Sequence, residues 1–158
     1  MNVFVKKYDR KAEAIVTRST SGRLLPTGRK NAILMPAGEV REDRPLPPYV
    51  YTENAAWDTG AQVTIISPRL VESLGLLPCG KGQFMGIGGD QVSDAYLVYV
   101  GLSNGDLIGE VKVYCSDIDD YDILLGMDII TETDFLITNK DSKTIFQFRS
   151  PSEGGVEL

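Results

Sequence analysis

Trp57-Asp58-Thr59-Gly60-Ala61-Gln62-Val63-Thr64-Ile65-Ile66-Ser67-Pro68-Arg69-Leu70-Val71-Glu72-Ser73-Leu74-Gly75-Leu76 is the stretch on which the fold turns. Ala55-Ala56-Trp57 favours a strand that leads into Asp58-Thr59-Gly60, a turn. Val63-Thr64-Ile65-Ile66 is β-branched throughout and reads as the next strand. Ser67 and Pro68 then suit the N-cap and first position of a short helix, with Leu70, Val71 and Leu74 on one face and Gly75 as its stop. The turn has a chemical use. Gly60 allows a tight bend and close approach of another chain, Thr59 offers a hydroxyl to brace the loop, and Asp58 stands at the edge of a rigid sheet. An Asp-Thr-Gly tripeptide alone is weak, because Asp and Gly are common in ordinary turns.

The context strengthens it. About sixty residues on comes Tyr121-Asp122-Ile123-Leu124-Leu125-Gly126-Met127-Asp128-Ile129-Ile130, an apolar strand running into a brief helix. Taken together, in this order and spacing, the two motifs resemble the retropepsin-like (retroviral-type) aspartic proteases, in their cellular and bacterial branch, over roughly residues 49–148. The resemblance implies a mainly β fold, a retropepsin-like acid-protease β-barrel with one or two short helices. It implies Asp58 as the catalytic aspartate and Thr59 as half of a hydrogen-bonded grip with a second subunit. Gly60 and Ala61 would line the cleft, and Leu124, Leu125 and Gly126 would support the catalytic loop. Gly86, Ile87, Gly88 and Gly89 fall where a substrate-covering flap is expected, although a plain glycine-rich turn is the alternative. Asp128 is expected to cap the short helix, and Trp57 to serve as core or subunit-packing surface.

Composition narrows the chemistry from another side. The 158 residues include no histidine and two cysteines, Cys79 and Cys115. Ser-His-Asp and Cys-His catalysis and histidine-containing zinc sites are thereby excluded as usually built. The cysteines are expected to be buried free thiols, and neither a metal nor another cofactor is implied. A 42% hydrophobic content suffices for one packed domain. No apolar run approaches the ~18 residues of a membrane span, and the N-terminus lacks the apolar core of a signal peptide, so a soluble, cytoplasmic protein is expected.

Charge is unevenly placed, with a net of +6 over residues 1–30 and −12 over the remainder. Solvated surface, or a basic arm on an acidic body, accounts for this; nucleic-acid binding is not expected, for want of an aromatic and basic groove pattern. Three parts are therefore expected: a basic extension over 1–30, a protease domain over 31–150 and a tail over 151–158. Strands are expected at Val3–Tyr8, Glu13–Arg18, Ala32–Met35, Tyr49–Thr52, Ala95–Leu102 and Leu107–Cys115. A closing hairpin, Phe135–Thr138 with Thr144–Phe148, completes the pattern. Turns are expected at Ser19–Gly22, Pro26–Gly28 and Ser103–Gly105, and an exposed proline-rich connector at Glu42–Pro48.

Peptide hydrolysis by carboxylates needs two of them sharing a proton, and the chain holds a single Asp-Thr-Gly. A homodimer acting on a peptide or protein substrate follows, with the closing hairpin as first candidate for its contact. Two other readings stay open: a catalytically silent retropepsin-like dimer that binds peptides, and an unrelated small β-barrel binding domain in which both motifs are coincidence.

Overall fold

In the computed structural model, residues 2–23, 49–86 and 89–155 are described. The Ala32–Met35 strand, the Pro26–Gly28 turn, the Glu42–Pro48 connector, Ile87 and Gly88 fall outside them.

Ten strands and two helices make up the described chain: β1 (Asn2–Lys7), β2 (Val16–Arg23), β3 (Tyr49–Trp57), β4 (Ile65–Ile66), α1 (Pro68–Leu74), β5 (Gly80–Gly86), β6 (Gly89–Gly101), β7 (Leu107–Cys115), β8 (Ile123–Leu125), α2 (Met127–Ile130), β9 (Asp134–Lys140) and β10 (Lys143–Ser150). The class is mainly β with two short helices, as the sequence implies. The strands form a three-stranded sheet, β1-β10-β9, and a seven-stranded one, β2-β3-β8-β4-β7-β6-β5. A further antiparallel pairing of β2 with β6 brings the larger sheet back onto itself.

Local chemistry accounts for several boundaries. The Ser67 hydroxyl accepts from the Leu70 N–H at 3.2 Å, Pro68 occupies the first turn, and Gly75 ends α1 at φ 59°, ψ 41°, a left-handed conformation that costs glycine little. Leu70 and Leu74 are buried beneath the helix. At Asp141-Ser142 both residues have positive φ, 52° and 60°, and join β9 to β10 by a two-residue turn.

Elsewhere tertiary pairing overrides local preference. Ser19–Gly22 is not a turn but part of β2, with β3 on one edge and β6 on the other. Glu13–Ile15 belongs instead to a loop, whose Ile15 carbonyl accepts from the Trp57 N–H at 2.9 Å. The β-branched run from Val63 yields only the two-residue β4, squeezed between β7 and β8. Both cysteines are free, but Cys79 is exposed and only Cys115 is half-buried; burial raises the Cys115 thiol pKa above its ordinary value.

One core joins the sheets. Val98, Val100, Val113, Ile123, Leu125 and Ile129 from the large sheet and α2 share it with Phe146 and Phe148 of β10. Trp57, at the end of β3, is the bridge: its ring lies 4.9 Å from Phe148, 5.2 Å from Phe146 and 6.4 Å from Phe135 between centroids. Its indole N–H donates to the Thr17 hydroxyl at 3.0 Å. This partly buried residue therefore packs against the core, and the last position before Asp58 is fixed from two sides.

Candidate functional site

Asp58 follows directly on β3 and is half-buried. Its backbone N–H donates to the Leu125 carbonyl at 2.9 Å, which extends the parallel pairing of β3 with β8 by one bond. One carboxylate oxygen, Oδ1, accepts from the Gly60 N–H at 2.8 Å, and the Asp58 carbonyl accepts from the Ala61 N–H at 3.2 Å. The loop thus folds back on its own aspartate and aims the carboxylate rather than leaving it to swing. A Cβ on residue 60 would stand 3.2 Å from that Oδ1, so glycine there leaves the carboxylate room.

A second set of bonds ties the loop to the segment 125–128. The Met127 N–H donates to the Ala61 carbonyl at 2.7 Å. The Gly126 N–H donates to the Thr64 hydroxyl at 3.2 Å. Gly126 must be bare: a Cβ there would come within 2.6 Å of the Val63 carbonyl carbon and oxygen and 3.0 Å of the Ala61 oxygen, all backbone atoms. Leu125 is fully buried, while Leu124 is half-buried opposite Ile65. The structure therefore gathers Asp58, Gly60, Ala61, Leu124, Leu125 and Gly126 into one unit.

Two features differ from the sequence reading. The hydroxyl that braces the loop from within belongs to Thr64, which is fully buried, whereas Thr59 is exposed. Asp128 does not occupy the cap position of α2, which is Gly126. The Asp128 carboxylate instead accepts from the Thr64 N–H (3.0 Å) and hydroxyl (2.7 Å) and from the Ile129 N–H (2.9 Å). Sequence inspection misses this link because its partners lie 64 positions apart and become neighbours only when β4 and β8 pair.

Thr59 and Trp57 line a cleft of about 270 Å³ together with Ile15, Phe135, Ile137 and Phe146. That cleft sets the Asp58 loop beside the inward face of the β9–β10 hairpin. β9 is an edge strand, and Ile137 on it is 43% exposed.

The glycine-rich segment is a hairpin: β5 pairs with β6 from Gly80↔Ala95 to Gly86↔Gly89. Gly86 and Gly89 thus face each other at its end, with Gly89 at φ 117°. Below them Phe84 stacks on Tyr114 of β7, centroids 5.4 Å apart, and the Tyr114 ring lies where any side chain at Gly82 would go. Met85 and Val92 beyond that stack are each 71% exposed.

Comparison with known proteins gives one decisive match. The family model described as aspartyl protease matches residues 51–129, half of the chain, and so takes in both the Asp58 loop and the 123–129 segment. No curated protein matches. Among solved structures, a retropepsin-like aspartic protease from Rickettsia conorii is similar at 12% identity and a TM-score of 0.47, covering 92% of each chain. The two segments that the hydrogen bonds lace together are the two that the family model spans, and the chain belongs to the aspartyl protease family.

Proposed function

We propose that this protein is a homodimeric aspartic endopeptidase in which Asp58 of each copy supplies half of a catalytic pair. The observation that carries the reading is the held carboxylate of Asp58, one Asp-Thr-Gly per chain, on a loop anchored to β8 and α2. Two carboxylates about 3 Å apart do not both ionise readily, so one proton is shared between them. The ionised member takes a proton from a water as it attacks the peptide carbon, and the protonated member donates to the carbonyl oxygen. Gly60 and Ala61 contact the substrate backbone. Leu124, Leu125 and Gly126 hold the loop from behind, and Gly86 and Gly89, at the end of the β5–β6 hairpin, belong to the flap.

A two-fold axis beside Asp58 brings Thr59 of each copy together and places the β9–β10 hairpins at the contact. The exposed Thr59 and Ile137, lining one cleft, favour that arrangement. Among the described residues no helix is long and apolar enough to cross a membrane.

Asp58→Asn tests the reading. Cleavage of a peptide library is expected to fall by at least ~10²–10⁴-fold, while sedimentation velocity still shows a dimer with an unchanged melting temperature. Retained cleavage in Asp58→Asn would remove the assignment. A wild-type dimer that binds a statine-type inhibitor yet cleaves nothing would identify a silent peptide-binding module instead, and a monomer indifferent to the inhibitor would exclude both.

A further inference from the structure

The geometry points to Asp128 as the residue that positions the Asp58 loop, acting through Thr64; the inference rests on the proteolytic reading and adds to it a residue remote from the carboxylate pair. Thr64 is fully buried and every one of its polar groups is engaged. Its N–H and O–H both donate to Asp128, its hydroxyl oxygen accepts from the Gly126 N–H, and its carbonyl accepts from the Tyr114 N–H at 3.2 Å. One residue therefore joins the far end of the Asp58 loop to β7 through its carbonyl, and to the end of β8 and to α2 through its hydroxyl.

The plainer account of Asp128, a carboxylate stabilising a helix N-terminus, fits poorly. α2 has four residues, and its cap position is Gly126. Asp128 spends only one contact on the helix backbone, the neighbouring Ile129 N–H, and two on Thr64 across the fold. The chemistry of the site also selects a carboxylate over an amide. All three groups that face Asp128 are donors. The Thr64 hydroxyl already accepts from Gly126, so its proton is directed to Asp128. A carboxylate can accept from every donor, whereas an amide of the same shape turns an NH₂ towards one of them. Losing that match leaves a buried donor unpaired, which shifts the loop instead of merely softening it. With Gly126 packed bare against the Val63 carbonyl, there is no slack on that side to absorb the shift.

The test compares Asp128→Asn, Thr64→Val and Thr64→Ser in the full chain, each well below its melting temperature. Asp128→Asn and Thr64→Val are expected to lower kcat by about 10–100-fold with KM changed much less, as a misplaced catalytic group does. Thr64→Ser, which keeps the hydroxyl, is expected to stay within about 3-fold of wild type. The double variant is expected to lose little more than either single one, because both break the same link. Independently of activity, amide exchange at Thr64, Gly126 and Met127 is expected to quicken at least ~10-fold in Asp128→Asn while the β1–β10 amides keep their rates. Local exchange at the wild-type rate would overturn the clasp. Faster exchange with kcat unchanged would overturn its positioning role, as would an equal loss in Thr64→Ser. Should Asp128→Asn fail to fold, Thr64→Val judged against Thr64→Ser decides the same point. A wild-type chain without cleavage would instead sink the proteolytic reading, and the exchange rates alone would then decide whether Asp128 holds the loop.

Discussion

Gly60 shows how little space the Asp58 carboxylate has. Adding a methyl group there sets a Cβ 3.2 Å from Oδ1, so the carboxylate must give by a few tenths of an ångström, away from the Gly60 N–H that aims it. Gly60→Ala is expected to lose about 10–100-fold in kcat/KM while unfolding at nearly the wild-type denaturant midpoint; kinetics on a fluorogenic peptide alongside urea denaturation would separate the two effects. At this scale the sequence was partly legible. Asp58, Gly60 and Gly126 announce themselves because turn chemistry and close backbone approach need those residue types. Thr64 and Asp128 do not. A threonine in a β-branched run looks like ordinary strand, and an aspartate beside a helix start looks like a cap, until β4 and β8 bring them together. Thr59, which the motif puts first among bracing hydroxyls, is exposed.

Among the elements, the β9–β10 hairpin holds an energetic cost that can be relieved. Asp141 and Ser142 both lie in the left-handed region, which costs a residue with a Cβ about 1–2 kcal/mol. Asp-Gly suits such a turn better than Asp-Ser. Ser142→Gly is expected to raise unfolding free energy by roughly 0.5 kcal/mol, the backbone relief being offset in part by the greater freedom of glycine in the unfolded chain; equilibrium urea unfolding would read it. Elements with their own punctuation matched expectation, α1 between Ser67 and Gly75 and β7 from Leu107 to Cys115. β2 did not, since its Ser-Thr-Ser-Gly stretch carries turn residues and is made a strand by neighbours on both edges. β4 is short for the opposite reason: strong β preference cannot prolong a strand when the bonds of Thr64 are directed to Asp128 and Gly126.

Across the whole molecule, the chain following β10 is fastened by Asp134. Its carboxylate, 12% exposed, accepts from the Ser152 hydroxyl at 2.6 Å, the Glu153 N–H at 2.8 Å and the Arg149 guanidinium at 2.9 Å. These bonds, the Ser152 hydroxyl foremost, hold its pKa at about 2, below the ordinary 3.8. A depressed carboxylate contributes stability that is present above its unfolded-state pKa and is lost as pH falls through the folded value. Asp134→Asn is therefore expected to melt below wild type at pH 5 to 7, with the gap closing between about pH 4 and pH 2; calorimetry across that range would show it, and a gap independent of pH would contradict it. The pairing of β1 with β10, from Asn2↔Ser150 to Lys7↔Ile145, carries a different consequence, one of timing. During synthesis β1 waits for β10, and Phe146 and Phe148 pack against Trp57 only once β10 has been made. The nascent chain therefore carries the Asp58 loop well before the aromatic residues that pack against the end of β3 are available to it.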